Sequence, residues 1–166
     1  GLKTVNVVRR ESLVEPMLAA GADVVLVDGE VDGQSLAERV SAATGGAQIQ
    51  LGIDAIGGAA TNRIGEALSE GATLVNYGAM SGEPCMLHPV NIVFKDITVR
   101  GFWLVIWLRT ATPAQQQALY GELTGLMAQG KLSTAIDSTY TVKDIKKAVA
   151  IASEGERNGK VVIVGG

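Results

Sequence analysis

Strand-sized apolar runs alternate with helix-length amphipathic runs through the first hundred residues, and this alternation constrains the fold more than any other feature of the sequence. Residues Thr4 to Val8 read as a buried strand, and "SLVEPMLAAG" follows as a short helix. In that helix Ser12 and Glu15 stand at capping-box spacing, Pro16 falls in the first turn and Gly21 ends it. "ADVVLVD" is a second strand, and "QSLAERVSAATGG" a helix with Leu36, Val40 and Ala43 on one face and a double-glycine stop. "AQIQLGIDAIGG", "AATNRIGEALSEG", "ATLVNYGAMSG" and "VNIVFKDITVRGFW" then predict strand, helix, strand, and a short helix followed by a strand. "TPAQQQALYGELTGLMAQGKL" is a later helix with Thr112 as its cap, "TVKDIKKAVAIASEG" another with Thr141 and Asp144 at capping-box-like spacing, and "GKVVIVGG" a last strand. Strands joined in this way by helices imply right-handed crossovers and a parallel sheet covered on both faces, a doubly wound Rossmann-like α/β fold.

Composition agrees with that class and removes others. In 166 residues, 47% are apolar but only 4% aromatic, and 21 are glycine, as expected of one Val-, Ile-, Leu- and Ala-rich α/β domain with tight turns. The formal charge of -3 provides no basic field, which argues against nucleic acid or an anionic membrane as a main partner. The apolar runs are far shorter than the roughly 20 residues of a membrane span, and a soluble protein is expected. One cysteine, Cys85, and one histidine, His88, cannot alone make a disulfide framework, a zinc cluster or a Cys/His catalytic pair, so no metal site is expected.

In parallel sheets ligands lie over the carboxyl ends of the strands, which makes the strand exits the positions of interest. Arg9 and Arg10 leave the first strand. Guanidinium at this place suits a 2'-phosphate, whereas a free ribose hydroxyl is usually held by a carboxylate; the same pair also reads as two solvated arginines at a helix entry. Tyr77, Gly78, Ala79 and Met80 leave the fourth strand with the small residues that admit a ligand close to backbone, or with a simple turn. Phe102 and Trp103 gather scarce aromatic side chains near Trp107, either as a core cluster or as a wall facing a cofactor. Lys160 begins the last strand, where a solvated lysine is the ordinary case, and Asp54 stands before Gly57-Gly58 without a histidine or second carboxylate nearby, which favours a structural role.

Taken in order, "NVVRR", "LGIDAIGG", "LVNYGAMS", "VFKDITVRGFW" and "GKVVIV" resemble the C-terminal portion of the mitochondrial-type trans-2-enoyl-CoA or enoyl-ACP reductases, zinc-independent members of the medium-chain dehydrogenase/reductase superfamily. The resemblance implies NADPH-dependent reduction of a carbon-carbon double bond conjugated to a thioester. Hydride would reach the β-carbon and a proton the α-carbon, the protein orienting the reactants and stabilising enolate-like charge. By the same similarity Arg9 and Arg10 would hold the 2'-phosphate, Tyr77 to Met80 would lie along the cofactor, Phe102, Trp103 and Leu104 would line the nicotinamide side, and Lys160 would reach the cofactor from the last strand. None of these would be catalytic. The family's Arg-Asp-Arg stretch is here Arg9-Arg10-Glu11, and its "YGGM" is Tyr77-Gly78-Ala79-Met80.

The resemblance further implies that the chain is part of a larger reductase, starting at the second strand of its nucleotide domain, with the first strand, the glycine loop and the catalytic domain lying outside it. On that reading residues 1–132 are the NADP-binding domain and 133–166 a segment that returns to the catalytic domain. The strands on either side of the missing one would face an empty slot, to be filled by an N-terminal piece from another chain, by a second copy, or closed by the two strands themselves. A homodimer through the domain edge near "ITVRGFW" is implied, as is a cytoplasmic location with the mitochondrial matrix as alternative. The substrate could instead be a quinone or alkenone of the same superfamily, and a non-catalytic nucleotide-binding or dimerisation module is the reading from a different class.

Overall fold

The computed structural model describes residues 1–154 and 159–165. They form two compact units, Gly1–Ile106 and Trp107–Gly166. The division at 132/133 expected from the sequence concerns packing against a catalytic domain, a different property from this internal compactness.

In the first unit β1 (Val5–Val8) and β2 (Val24–Val27) pair in parallel, Val5 opposite Val24 and Val8 opposite Val27. A second parallel sheet has β4 (Thr73–Asn76) between β3 (Leu51–Asp54) and β5 (Thr98–Gly101). Parallel neighbours need crossovers, and helices supply them: α1 (Val14–Ala19), α2 (Leu36–Thr44), α3 (Ala59–Ala67) and α4 (Pro89–Val93). Among the described residues β1 and β3 do not pair with each other, so the strands on either side of the expected slot have not closed into one sheet. What holds the two sheets in one unit is α2 packed on α3, together with an ion pair described below.

Local chemistry explains most of the helix ends. Ser35 caps α2 by accepting from the Glu38 amide at 3.2 Å, while the Glu38 carboxylate accepts from the Ser35 amide at 2.8 Å, a reciprocal pair that satisfies two otherwise orphaned donors. Leu36 and Val40, four apart, are the buried face, and Gly45 stops the helix in the left-handed conformation at φ 64°. The box expected of Ser12 and Glu15 does not form. A 3-10 turn over Glu11–Leu13 comes first, α1 starts at Val14, and its cap Leu13 offers no side-chain acceptor; Pro16 does fall in the first turn of α1, where its missing N–H costs nothing. Thr141 likewise donates to the Asp144 carboxylate at 3.0 Å and caps no backbone amide.

The core of the first unit is Leu68, Ala72, Leu74 and Ile97, with Ile49, Ile64 and Leu87 packed against it. The sheet is not covered on both faces, contrary to the sequence expectation. Gly52 and Asp54 of β3 turn toward α3, where a Cβ on Gly52 would stand 2.8 Å from Ile64, but Leu51 and Ile53 turn the other way and remain 55% and 62% exposed. No helix in the described residues lies over that half of the face.

α5 (Leu104–Thr110) crosses from the first unit into the second. The second unit contains α6 (Pro113–Ala128), capped by a Thr112/Gln115 box, and the parallel pair β6 (Ile136–Thr141) and β7 (Lys160–Val164) packed with α7 (Ile145–Ser153). α6 buries none of its residues, and Met127, Ile136, Val142 and Val149 are all more than half exposed. No described helix is long and apolar enough to cross a membrane.

Leu74, fully buried at the centre of the core, and Ser35, an exposed cap, give the scale of these terms. Leu74→Ala should cost about 3 kcal/mol of unfolding free energy and Ser35→Ala about 1 kcal/mol, read by urea denaturation of the two variants in parallel.

Candidate functional site

The chemistry-bearing residues of the first unit stand at strand exits, and the sequence around each exit explains its shape. Arg9 is exposed directly after β1, and Arg10 is half-buried in extended backbone (φ -142°, ψ 142°), from which the 3-10 turn starts. After β2, Asp28 receives Arg63 of α3 in a two-pronged contact, Nε at 2.7 Å and a terminal nitrogen at 2.5 Å, and accepts from the Gly29 amide at 2.8 Å. Arg39 of α2 donates to the Val27 carbonyl at 2.9 Å and also to that of Gly29. Two arginines from successive helices thus hold the exit of β2, and the ion pair ties it to the helix that leaves β3. The Arg63 guanidinium holds the Asp28 carboxyl below its ordinary value, against the opposing effect of burial.

After β3 the chain turns through Gly57 (φ 78°) and Gly58 (φ 59°, ψ -144°), the second in a region that a side chain all but forbids, and α3 begins at Ala59. Asp54 lies beneath this turn, 1% exposed. Its carboxylate accepts from the Ile56 amide at 2.8 Å, the Gly57 amide at 3.2 Å, the Thr61 hydroxyl at 2.7 Å and the Asn76 side-chain amide at 3.2 Å. Burial raises the pKa of such a group, but here the Thr61 hydroxyl and the backbone and Asn76 donors outweigh it and the net shift is downward.

After β4 come Tyr77, Gly78, Ala79 and Met80. Gly78 passes so close to β3 that a Cβ would stand 2.7 Å from the Ala55 carbonyl oxygen. Met80 and Ser81 donate their amides back to the carbonyls of Ala55 and Ile56, at 3.1 and 2.9 Å, so this exit is stitched to the turn above Asp54. After β5 the Phe102 amide donates to the Asn76 carbonyl at 2.8 Å, which brings Phe102, Trp103 and Leu104 beside the β4 exit. All three are about half exposed, as is Tyr77, and Met80 is 73% exposed, so the aromatic pair is no core cluster. Lys160 belongs to the second unit, where it opens β7 and is exposed.

The structure brings Tyr77 to Met80 and Phe102 to Leu104 to adjoining exits and leaves Arg9 and Arg10 at the exit of β1. Sequence patterns alone do not mark Arg39 and Arg63 at the β2 exit, nor Ser81, whose hydroxyl donates to the Ile56 carbonyl at 2.7 Å. Arg63 lies 35 positions from Asp28, and nothing local in the sequence marks that pairing.

Parallel strands joined by helical crossovers, with small and aromatic residues at their carboxyl ends, define a Rossmann-type α/β domain. The profile of the zinc-binding dehydrogenases matches residues 20–163, and the chain belongs to that family. It is 32% identical over 157 residues to the mitochondrial enoyl-[acyl-carrier-protein] reductase of Caenorhabditis elegans, covering 92% of this chain and 43% of the relative. It is 26% identical over 167 residues to the corresponding enzyme of Dictyostelium discoideum, covering 98% and 47%. Among solved structures, a protein of Bacillus thuringiensis described as an NADPH:quinone reductase superimposes with a TM-score of 0.82 at 25% identity, over 96% of this chain and 47% of the other. The chain thus spans less than half the length of each of these relatives.

The family's name refers to zinc, and the residues present do not fit that ion. No three His, Cys, Asp or Glu side chains among the described residues gather to hold a metal, and His88 Nδ1 is engaged as the cap of α4, accepting from the Val90 amide at 3.2 Å.

Two results are expected. Gly78→Ala must displace the backbone of β3 or its own, and should lower stability by about 2 kcal/mol in denaturant titration. Because the folded pKa of Asp28 is depressed, its contribution is present above the ordinary value of 3.8 and is lost as pH falls below it. The stability difference between the wild-type chain and Asp28→Asn should then be constant from pH 7 to 5 and shrink below pH 4, as measured by urea unfolding at each pH.

Proposed function

We propose that this chain is the cofactor-binding portion of an NADPH-dependent reductase that acts on the carbon-carbon double bond of 2-enoyl thioesters. The observation that carries the reading is the β4 exit, whose backbone is stitched to the turn after β3 and around which Tyr77, Met80, Phe102 and Trp103 stand exposed. A flat aromatic ring fits such a wall, and the fold places ligands at this end of the strands. The family and the enoyl reductases among its relatives support the reading.

Arg9 binds the 2'-phosphate as an exposed guanidinium able to donate two parallel hydrogen bonds, and Arg10 serves beside it. Tyr77 to Met80 orient the cofactor along the β4 exit. Phe102, Trp103 and Leu104 exclude water from the nicotinamide side, and Lys160, exposed at the start of β7, is assigned to the cofactor on the family resemblance alone. NADPH, when bound, supplies the hydride. The residues assigned here hold and orient, and the catalytic groups belong to the rest of the intact protein, which 133–166 meets. β5 supports a homodimer through the domain edge, since all four of its residues are exposed and among the described residues it pairs only with β4. The mitochondrial relatives favour the matrix over the cytoplasm.

A quinone substrate is the second reading, favoured by the Bacillus thuringiensis structure. Steady-state assays of the intact protein with crotonyl-CoA and with a quinone separate the two: kcat/KM at least about 100-fold higher for the enoyl thioester is expected, and the reverse preference would overturn the substrate assignment. In the same protein Arg9→Ala should raise KM for NADPH at least about tenfold while leaving KM for NADH within about twofold, because only the former has a phosphate to lose.

A further inference from the structure

Asp54 is the one carboxylate among the described residues that is fully buried, and the proposed chemistry has no use for it. Its surroundings show what it does. Two of its donors, the Ile56 and Gly57 amides, fix the turn after β3, a third, Asn76, is the last residue of β4, and the fourth, Thr61, lies in the first turns of α3. The turn fixed in this way directs the Ala55 and Ile56 carbonyls at the amides of Met80 and Ser81 and at the Ser81 hydroxyl. Asn76 in turn accepts the Phe102 amide on its backbone carbonyl, so one carboxylate constrains both exits that carry the aromatic wall.

We propose that Asp54 is the positioning residue of this site: by holding the β3 turn to the end of β4 it sets the backbone of Gly78 to Ser81 against which the cofactor lies. The proposal rests on the cofactor reading above and adds to it a residue that touches no ligand. A charged acceptor suits the task, since it satisfies four donors at once and needs none in return. Burial keeps water from competing for those donors. An asparagine at the same place can retain the two backbone donors on its oxygen and donate its amide to Thr61 and to a reoriented Asn76, whereas an alanine leaves all four unpaired.

The test is site-resolved hydrogen exchange on the 166-residue chain, comparing Asp54→Ala, Asp54→Asn and Asn76→Ala with wild type. In Asp54→Ala the protection of the Met80 and Ser81 amides should fall at least about tenfold more than that of Leu74 in mid-β4, and Asp54→Asn should restore it to within about threefold. If Asp54→Ala does not fold, Asn76→Ala decides: it removes only the β4 donor, and should loosen Met80 and Ser81 at least about threefold while leaving Leu74 unchanged. Equal losses at all three amides, or none at Met80 and Ser81, would reduce Asp54 to a general stability residue and overturn the proposal. NADPH fluorescence titration of the same variants should show affinity lost at least about tenfold in Asp54→Ala, or at least about threefold in Asn76→Ala, and kept in Asp54→Asn; unchanged affinity with a loosened loop would contradict the link to the cofactor. A wild-type chain that takes up no NADPH contradicts the cofactor reading instead, and exchange still decides whether Asp54 holds the loop.

Discussion

A buried carboxylate with every acceptor position in use is the constraint on which the site end of the first unit depends. Removing Asp54 from water is costly, and the cost is offset only because four donors from three elements converge on it. The convergence requires the tight turn at Gly57 and Gly58, the start of α3 at Ala59 and the end of β4 at Asn76 to occupy fixed relative positions. The stitching of Met80 and Ser81 to the same turn, and the close pass of Gly78, follow from it. A strand exit without such an anchor would be an ordinary surface loop.

Among the described residues the β1–β2 sheet has no comparable buried carboxylate, and it is joined to the rest by helix packing and a partly exposed ion pair. The Asp28–Arg63 pair and the packing of α2 on α3 bridge it to β3 and its helix, while the edges of β1 and β3 stay apart. Leu51 and Ile53, apolar and exposed, lie on the face of β3 that no described helix covers. The physical contrast is between a buried, fully paired network on one side and a partly exposed ion pair on the other, and it makes the β1–β2 half the less secure of the two.

The parallel α/β class was legible in the sequence because apolar strand runs and amphipathic helices differ in period, and the double-glycine stop at Gly45 and the Thr112 cap were legible because each is written in adjacent residues. The caps at Ser12 and Thr141 were misread, since a 3-10 turn in each case takes up the residues that the spacing assigned to an α-helix. Strand exits at Gly57-Gly58 and Tyr77 to Met80 could be placed from glycine content alone. Asp54 was recognised as structural, but its partners Thr61 and Asn76, like the Arg63 partner of Asp28, come together only through packing of elements far apart in the chain. The exposed face of β3 was invisible to sequence, because an apolar residue in a strand reads the same whether or not something covers it.

On the proposed function, the strand exits of the first unit bind NADPH and recognise its phosphate. Equilibrium titration of the purified chain with NADPH and NADH in parallel, followed by cofactor fluorescence, tests it most directly. Saturable binding of NADPH at least about tenfold tighter than that of NADH is expected, because only NADPH carries the phosphate that Arg9 would hold. Equal affinity for the two, or binding of neither, would contradict it.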